Sequence, residues 1–326
     1  MINILTYPDI DPQQWQQLIE RSPYATWFQT DKAYCFYQSV GGMQAFAYGV
    51  LQYERLVGVV VGYITQEQCS FKQFFTARAI IPGGPLFAED ITTEALEALL
   101  QAIRRLGDKA IYIETRNFHD YSKWKPIFEN NGFAYQEHYD IHVHCSAQHR
   151  LSERRQRELK RAIKNGATVA EAQTEQEIRD WYQILSRLYQ EKVRTPLFSE
   201  DFFLQFHRNG VGKYLLVKYE GKVIGGMMCP ILDGRAIYEW YVCGLDEEYR
   251  DLCPSVVATH AAIEYAKNHG LPLFDFMGAG KPDIPYGVRD FKMEFGGELV
   301  EYGRFLCVRK PLLYWIGKVG VKWLTK

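Results

Sequence analysis

Apolar positions along the chain fall into short continuous runs and helical stripes, and their order recurs. Tyr53-Glu54-Arg55 followed by Leu56–Val61 reads as a hairpin turn entering an apolar strand. The run continues to Ile64 and is the longest in the chain. Tyr219–Met227 has the same pattern 166 residues later. A helical stripe over Glu94–Leu106 stops at Gly107 and feeds a strand at Ala110–Glu114. Ser255–His269 stops at Gly270 and feeds Leu273–Phe276, an offset of 163. Phe128 with Gly132 faces Phe291 with Gly296, again near 163 residues apart. Strands follow each, at Tyr139–Cys145 and Leu299–Val308. Near-constant spacing over three elements predicts a duplicated unit of hairpin strands, a helix and further strands. Such a unit makes a mixed sheet with helices packed on it, so the expected class is α/β with mixed sheets.

Between the copies lies Leu151–Gly166, a strong helix former with Gly166 as its stop. Arg154, Arg157, Arg161 and Lys164 fall at i, i+3, i+7 and i+10 and share one face. A phosphate-rich partner would be drawn to that stripe, and a solvated helix face gives the same pattern. The expected domains are therefore 1–149, 150–309 opened by the basic helix, and a tail 310–326. The tail sets Lys318, Lys322 and Lys326 four apart among Leu312, Leu313, Trp315, Ile316, Val319 and Trp323. Such a helix suits a membrane interface or docks on the protein itself.

Composition narrows the partners. Hydrophobic residues are 47% and charged residues 24% of 326, which excludes collagen-like and disordered chains. Thirty-eight Lys+Arg against 39 Asp+Glu leave a net charge of −1, so any affinity for phosphate must be local. Seven cysteines, Cys69 among them, form no C-x-x-C pair. That argues against a zinc ribbon and for a reducing compartment. MINILTYPDI has no basic stretch followed by an apolar run, and Leu56–Ile64 is too short to span a bilayer. A cytoplasmic monomer is expected.

The second half carries more specific phrases. Arg157-Glu158-Leu159-Lys160-Arg161-Ala162-Ile163-Lys164-Asn165-Gly166 resembles the segment that opens the second domain of the Fem family, the peptidoglycan interpeptide-bridge aminoacyltransferases. Phe274-Asp275-Phe276 with Gly278 is similar to that family's "Y-D-F-G-G" strand. Phe291-Lys292-x-x-Phe295-Gly296-Gly297-Glu298 resembles its "F-K-x-x-F-G-G-E" motif. Phe28-Gln29-Thr30 and Gly84-Pro85 are similar to weaker marks in the first half. The resemblance implies two GNAT-like acyltransferase domains in tandem, here without the helical-hairpin arm of the longest members. It implies transfer of an amino acid from aminoacyl-tRNA to an amine of a lipid-linked peptidoglycan precursor, with no resident cofactor.

Aminoacyl transfer requires an amine to lose a proton, a carbonyl to be oriented and an oxyanion to be stabilised. By the resemblance, Lys292 holds the donor carbonyl or terminal phosphate region beside Phe291, which packs the terminal adenine. Arg194 and Phe198 are similar to the family's acceptor element, and an arginine fork suits phosphate oxygens. Strand alternation sets Tyr238 and Trp240 on one face and Glu239 and Tyr241 on the other, with Glu239 or Tyr241 near the reacting amine. Asp275, between two phenylalanines, reads as a base with a raised pKa or as a structural carboxylate. His138, Asp140, His142 and His144 share a strand face, but neighbours at i, i+2 splay, so no metal site is expected. Arg250–Ser255 stands where simple acetyltransferases carry a glycine-rich CoA loop and lacks those glycines, which disfavours a CoA thioester. Two other readings stay open: an N-acyltransferase using acyl-CoA, and a non-catalytic RNA- or membrane-binding protein.

Overall fold

The computed structural model describes residues 1–65, 77–146 and 148–324, with side chains to Lys318 over the last helix. Cys69 and the Lys322 and Lys326 side chains lie outside the described residues. Two compact units result: Met1–His138 with Glu301–Lys326, and Tyr139–Val300.

The first unit runs β1 (Ile2–Thr6), α1 (Pro12–Arg21), α2 (Asp31–Ser39), β2 (Met43–Gln52), β3 (Arg55–Thr65), β4 (Ala79–Gly83), β5 (Leu86–Phe87), α3 (Thr93–Arg104), β6 (Tyr112–Asn117), α4 (Lys125–Asn130) and β7 (Ala134–Gln136). The second runs β8 (Tyr139–His144), α5 (Glu153–Lys164), β9 (Thr168–Glu171), α6 (Glu175–Leu188), α7 (Glu200–Arg208), β10 (Gly212–Tyr219), β11 (Lys222–Leu232), β12 (Ala236–Tyr238), β13 (Tyr241–Gly244), α8 (Pro254–Asn268), β14 (Leu273–Asp275), α9 (Gly287–Met293) and β15 (Glu298–Glu301). The chain then returns to the first unit as β16 (Arg304–Val308) and α10 (Pro311–Leu324).

The two sheets repeat each other. The first is ordered β1-β2-β3-β4-β6-β16-β7, with β5 on β3. The second, taken from its other edge, is β9-β10-β11-β12-β14-β8-β15, with β13 on β11. Each central hairpin turns through two residues of positive φ, Tyr53-Glu54 in one and Glu220-Gly221 in the other. That is the twist-matched turn of a two-residue hairpin. The apolar run at 56–64 becomes β3, buried along nearly its whole length because elements cover both its faces. In α3 the buried residues Leu96, Leu99, Leu100 and Ile103 form the stripe that packs on β2 and β3.

One predicted element divides. Leu299–Val308 is two strands in different sheets. β15 edges the second sheet, while β16 sits between β6 and β7 of the first. Correspondingly β8, which follows β7 in the chain, fills the matching place between β14 and β15. The sequence cut at 149/150 therefore differs from the compact units, whose borders lie at His138 and Glu301. Phe305 packs this exchange in place, stacked on Phe128 with ring centroids 4.0 Å apart.

Candidate active site

The second sheet opens where β12 gives way to β13. The sequence predicts a continuous strand over Tyr238–Tyr241, but the chain slips register along β11 by one residue there. Ile231 pairs Ile237, whereas Met228 pairs Tyr241. Such a slip is a bulge, and it re-aims the side chains around it. Beyond it β13 stays with β11 and no longer pairs with β14. Glu239 sits at the fork, its N–H donating to the Asp275 carbonyl at 2.8 Å. The simple two-face alternation assigned to 238–241 therefore does not hold.

Lys292 reaches this fork from α9. Its Nζ lies 3.1 Å from Glu239 Oε1 and donates to the carbonyls of Phe276 and Gly278, each at 2.9 Å. Both side chains are buried, Glu239 being 4% exposed and Lys292 10%. The two carbonyls converge because Met277 adopts a left-handed conformation, φ 56°, while its N–H donates to Asp275 Oδ1 at 2.6 Å. Burial pushes the Glu239 carboxyl above its ordinary value, against the pull of the Lys292 ammonium. Its second oxygen, Oε2, has no hydrogen-bond partner among the described residues.

Behind the fork the strands bring acidic groups together. Asp275 and His142 are cross-strand partners, with His142 Nε2 3.4 Å from Asp275 Oδ2. Asp140 accepts from the N–H groups of Ile141 and Gly278, both at 2.7 Å. Potential ligand atoms of Asp140, His142 and Asp275 lie within 4.8 Å of one another. Burial, then repulsion from Asp275, raises the Asp140 carboxyl well above its ordinary value. His142 is pulled down by burial, but the Asp275 carboxylate prevails and raises it. His144 lies at the exposed end of the same strand, near Glu298, and His138 belongs to the first unit.

Arg155 is a residue that the sequence pattern does not single out. It is 4% exposed and sits at the first position of the buried stripe Arg155, Leu159, Ala162 on α5. Its guanidinium contacts Glu158 at 2.6 Å and Glu294 at 2.8 Å. It also lies over the Phe291 ring, 4.3 Å from the centroid, with Phe295 at 5.4 Å. The linker helix is thereby fastened to the Phe291-Lys292 turn. An arginine standing where an apolar residue would continue the stripe was the available signal.

The basic face of α5 is partly neutralised. Arg154 pairs with Glu158 and Glu294, Arg157 lies 3.7 Å from Glu153, and Arg161 lies 3.7 Å from Asp251. Lys164 is exposed near the helix end. All three arginines keep about half or more of their side chains in solvent (63%, 74% and 49%).

Of the remaining predicted residues, Tyr241 and Phe198 join an aromatic wall in the same unit. Tyr241 lies 6.2 Å from Tyr189 and 5.1 Å from Phe203, centroid to centroid. Phe198 stacks on Phe202 at 4.4 Å, and Phe202 meets Trp240 at 5.2 Å. Helix α6 ends in a wide turn, Tyr189–Val193, capped by exposed Arg194 at φ 53°, whose N–H donates to the Tyr189 carbonyl. Tyr238 is buried on β12, opposite Asp275.

The N-terminus of α8 follows β13 and is already occupied. Asp246 accepts from the Ser255 N–H at 3.1 Å and from its hydroxyl at 2.5 Å. Pro254 at the first turn offers no N–H. A carboxylate thus meets the positive helix end where a phosphate could otherwise bind.

Residues 152–293 match the family model described as an acetyltransferase (GNAT) domain. Among solved structures, FemX superposes with a TM-score of 0.71 at 16% identity, covering 96% of this chain and 99% of FemX. The chain has the FemX fold. L-PGS from Bacillus licheniformis follows at TM-score 0.59 and 14% identity, with 92% of each chain covered. A tandem GNAT protein from the clavulanic acid biosynthesis pathway gives 0.59 at 12% identity, covering 95% of this chain and 99% of that one. No curated protein matches the sequence. The expected pair of GNAT-like domains with mixed sheets is what the chain forms, and no helical-hairpin arm occurs among the described residues. By its family match the second unit is an acyltransferase domain.

Proposed function

We propose that this FemX-like chain is an aminoacyl-tRNA-dependent transferase that acylates an amine of a lipid-linked peptidoglycan precursor at the inner face of the membrane. The observation that carries the donor assignment is Asp246. A CoA pyrophosphate would have to displace or sit beside a carboxylate at the N-terminus of α8, which like-charge repulsion opposes. A donor recognised through its terminal ribose, adenine and backbone phosphates has no such requirement. The exposed arginines of α5 supply a surface for those phosphates, and Phe291 supplies a ring for the adenine.

Glu239 serves as the base. The acceptor amine attacks the ester carbonyl carbon of the aminoacyl group, and a new C–N bond forms. The ammonium proton passes to Glu239 Oε2, the C–O bond to the terminal ribose breaks, and Glu239 returns the proton to the departing ribose oxygen. Lys292 is the counter-charge that keeps a buried carboxyl able to ionise. To orient the donor carbonyl as well, Lys292 would exchange one of its two backbone carbonyl partners for it. Arg194, Phe198, Tyr238 and Tyr241 provide the acceptor side, with Asp275 holding the turn that aims Lys292.

Glu239→Gln tests the assignment, because the amide still accepts from Lys292 but cannot take a proton. Charged tRNA and a lipid-linked precursor are incubated with each protein, and labelled product is followed across pH. The wild-type rate rises with pH through the raised Glu239 pKa, since the ionised form is the base. The variant loses that limb and about 10²–10⁴ in rate. An unchanged profile would remove Glu239 from the chemistry.

A further inference from the structure

We infer that α10 is a monolayer anchor, which seats the first unit on an anionic phospholipid surface. The inference stands on α10 alone and is independent of the donor and acceptor assigned above.

One side of α10 docks on its own unit. Tyr314 meets Tyr112 edge-on at 5.4 Å, and Lys310 Nζ donates to the Asp108 carbonyl at 3.3 Å. The other side carries Leu312, Trp315 and Ile316, which are 70%, 64% and 46% exposed. They fall at i, i+3 and i+4 and form one apolar face one turn long. Three large apolar side chains left together in water call for an occupant.

Charge identifies the occupant. From Arg309 to the end, the sequence holds Arg309, Lys310, Lys318, Lys322 and Lys326 and no acidic residue, in a chain whose net charge is −1. Lys318 folds its ammonium over the Tyr314 ring, 4.8 Å from the centroid, at the flank of the apolar face. Apolar side chains on a segment whose own charges are all cationic match the boundary between acyl chains and anionic headgroups. A second copy of this chain would bring the same cations against each other. Nor does α10 cross a bilayer. Its 14 residues reach about 21 Å at 1.5 Å per residue, short of the ~30 Å hydrocarbon core. No described helix is long and apolar enough to span a membrane.

The test is co-sedimentation of the full chain with vesicles of phosphatidylcholine alone or with phosphatidylglycerol added. A triple variant, Leu312→Ser, Trp315→Ser and Ile316→Ser, is compared with the wild type. These side chains are exposed, so an unchanged circular dichroism spectrum and melting temperature are expected and verify the fold. Wild-type binding should be at least tenfold tighter to the anionic vesicles and should weaken with salt, and the variant should lose at least tenfold. Equal binding by wild type and variant, or no binding to either vesicle, would overturn the inference. So would concentration-dependent dimerisation that the same triple substitution abolishes, since the face would then belong to a second copy.

Discussion

At the level of single residues, a set of charges is held out of water around Lys292 and Arg155. Lys292 is matched by one carboxylate and two carbonyls, and Arg155 by two carboxylates and two rings. Such groups are costly to bury singly and are tolerated because each is paired. Arg155→Ala should therefore cost about 1–3 kcal/mol in urea unfolding, because it removes a buried guanidinium packed on two rings, while Glu158 and Glu294 keep Arg154 as a partner. A loss below about 1 kcal/mol would show that the guanidinium is an ordinary surface group. Lys292 was legible through the motif around it, Glu239 through its place on a strand, and Asp275 as a polar residue between two phenylalanines. Arg155 was not, because a helix so rich in arginine hides the one that points inward. Asp140 and His142 were visible as a strand face. Their meeting with Asp275 depends on which strand lies beside β8, and that pairing is non-local.

At the scale of elements, the repeat was legible because each helix-glycine-strand phrase is local. The exchange of β8 and β16 was not, since a strand's own pattern does not say which sheet receives it. The Gly296-Gly297 pair of the motif has a plain explanation. Gly296 has φ 78°, and a side chain there would meet the Arg150 carbonyl at 2.2 Å. At Gly297 a Cβ would meet Ile141 at 2.5 Å. The pair lets the turn after α9 lie against β8 and the approach to α5. The exchange makes its own prediction. A chain ending at Val300 lacks β16, so β6 and β7 lose their shared neighbour and Phe128 loses its stacked ring. Tyr139–Val300 keeps every strand of its sheet but the end of β15. Hydrogen exchange on the truncated chain should show protection lost across β6, β7 and α4 and retained across β10 and β11. Uniform protection in both would contradict the assignment of β16 to the first sheet.

At the scale of the whole molecule, a duplicated fold has been specialised unevenly. The fork, the buried charges, the aromatic wall and the family match all lie in the second unit. The first unit keeps the same strand order and contributes α10 with its exposed apolar face. Fold likeness to FemX and to L-PGS leaves the donor to be decided by chemistry, and Asp246 is the feature of this chain that bears on it. The most direct measurement offers the protein charged tRNA and acetyl-CoA together, with a lipid-linked peptidoglycan precursor as acceptor, and determines by mass which group the acceptor gains. The expected gain is the mass of an amino acid residue, with the acetyl-CoA left intact. An acetylated acceptor with the aminoacyl ester undiminished would contradict it.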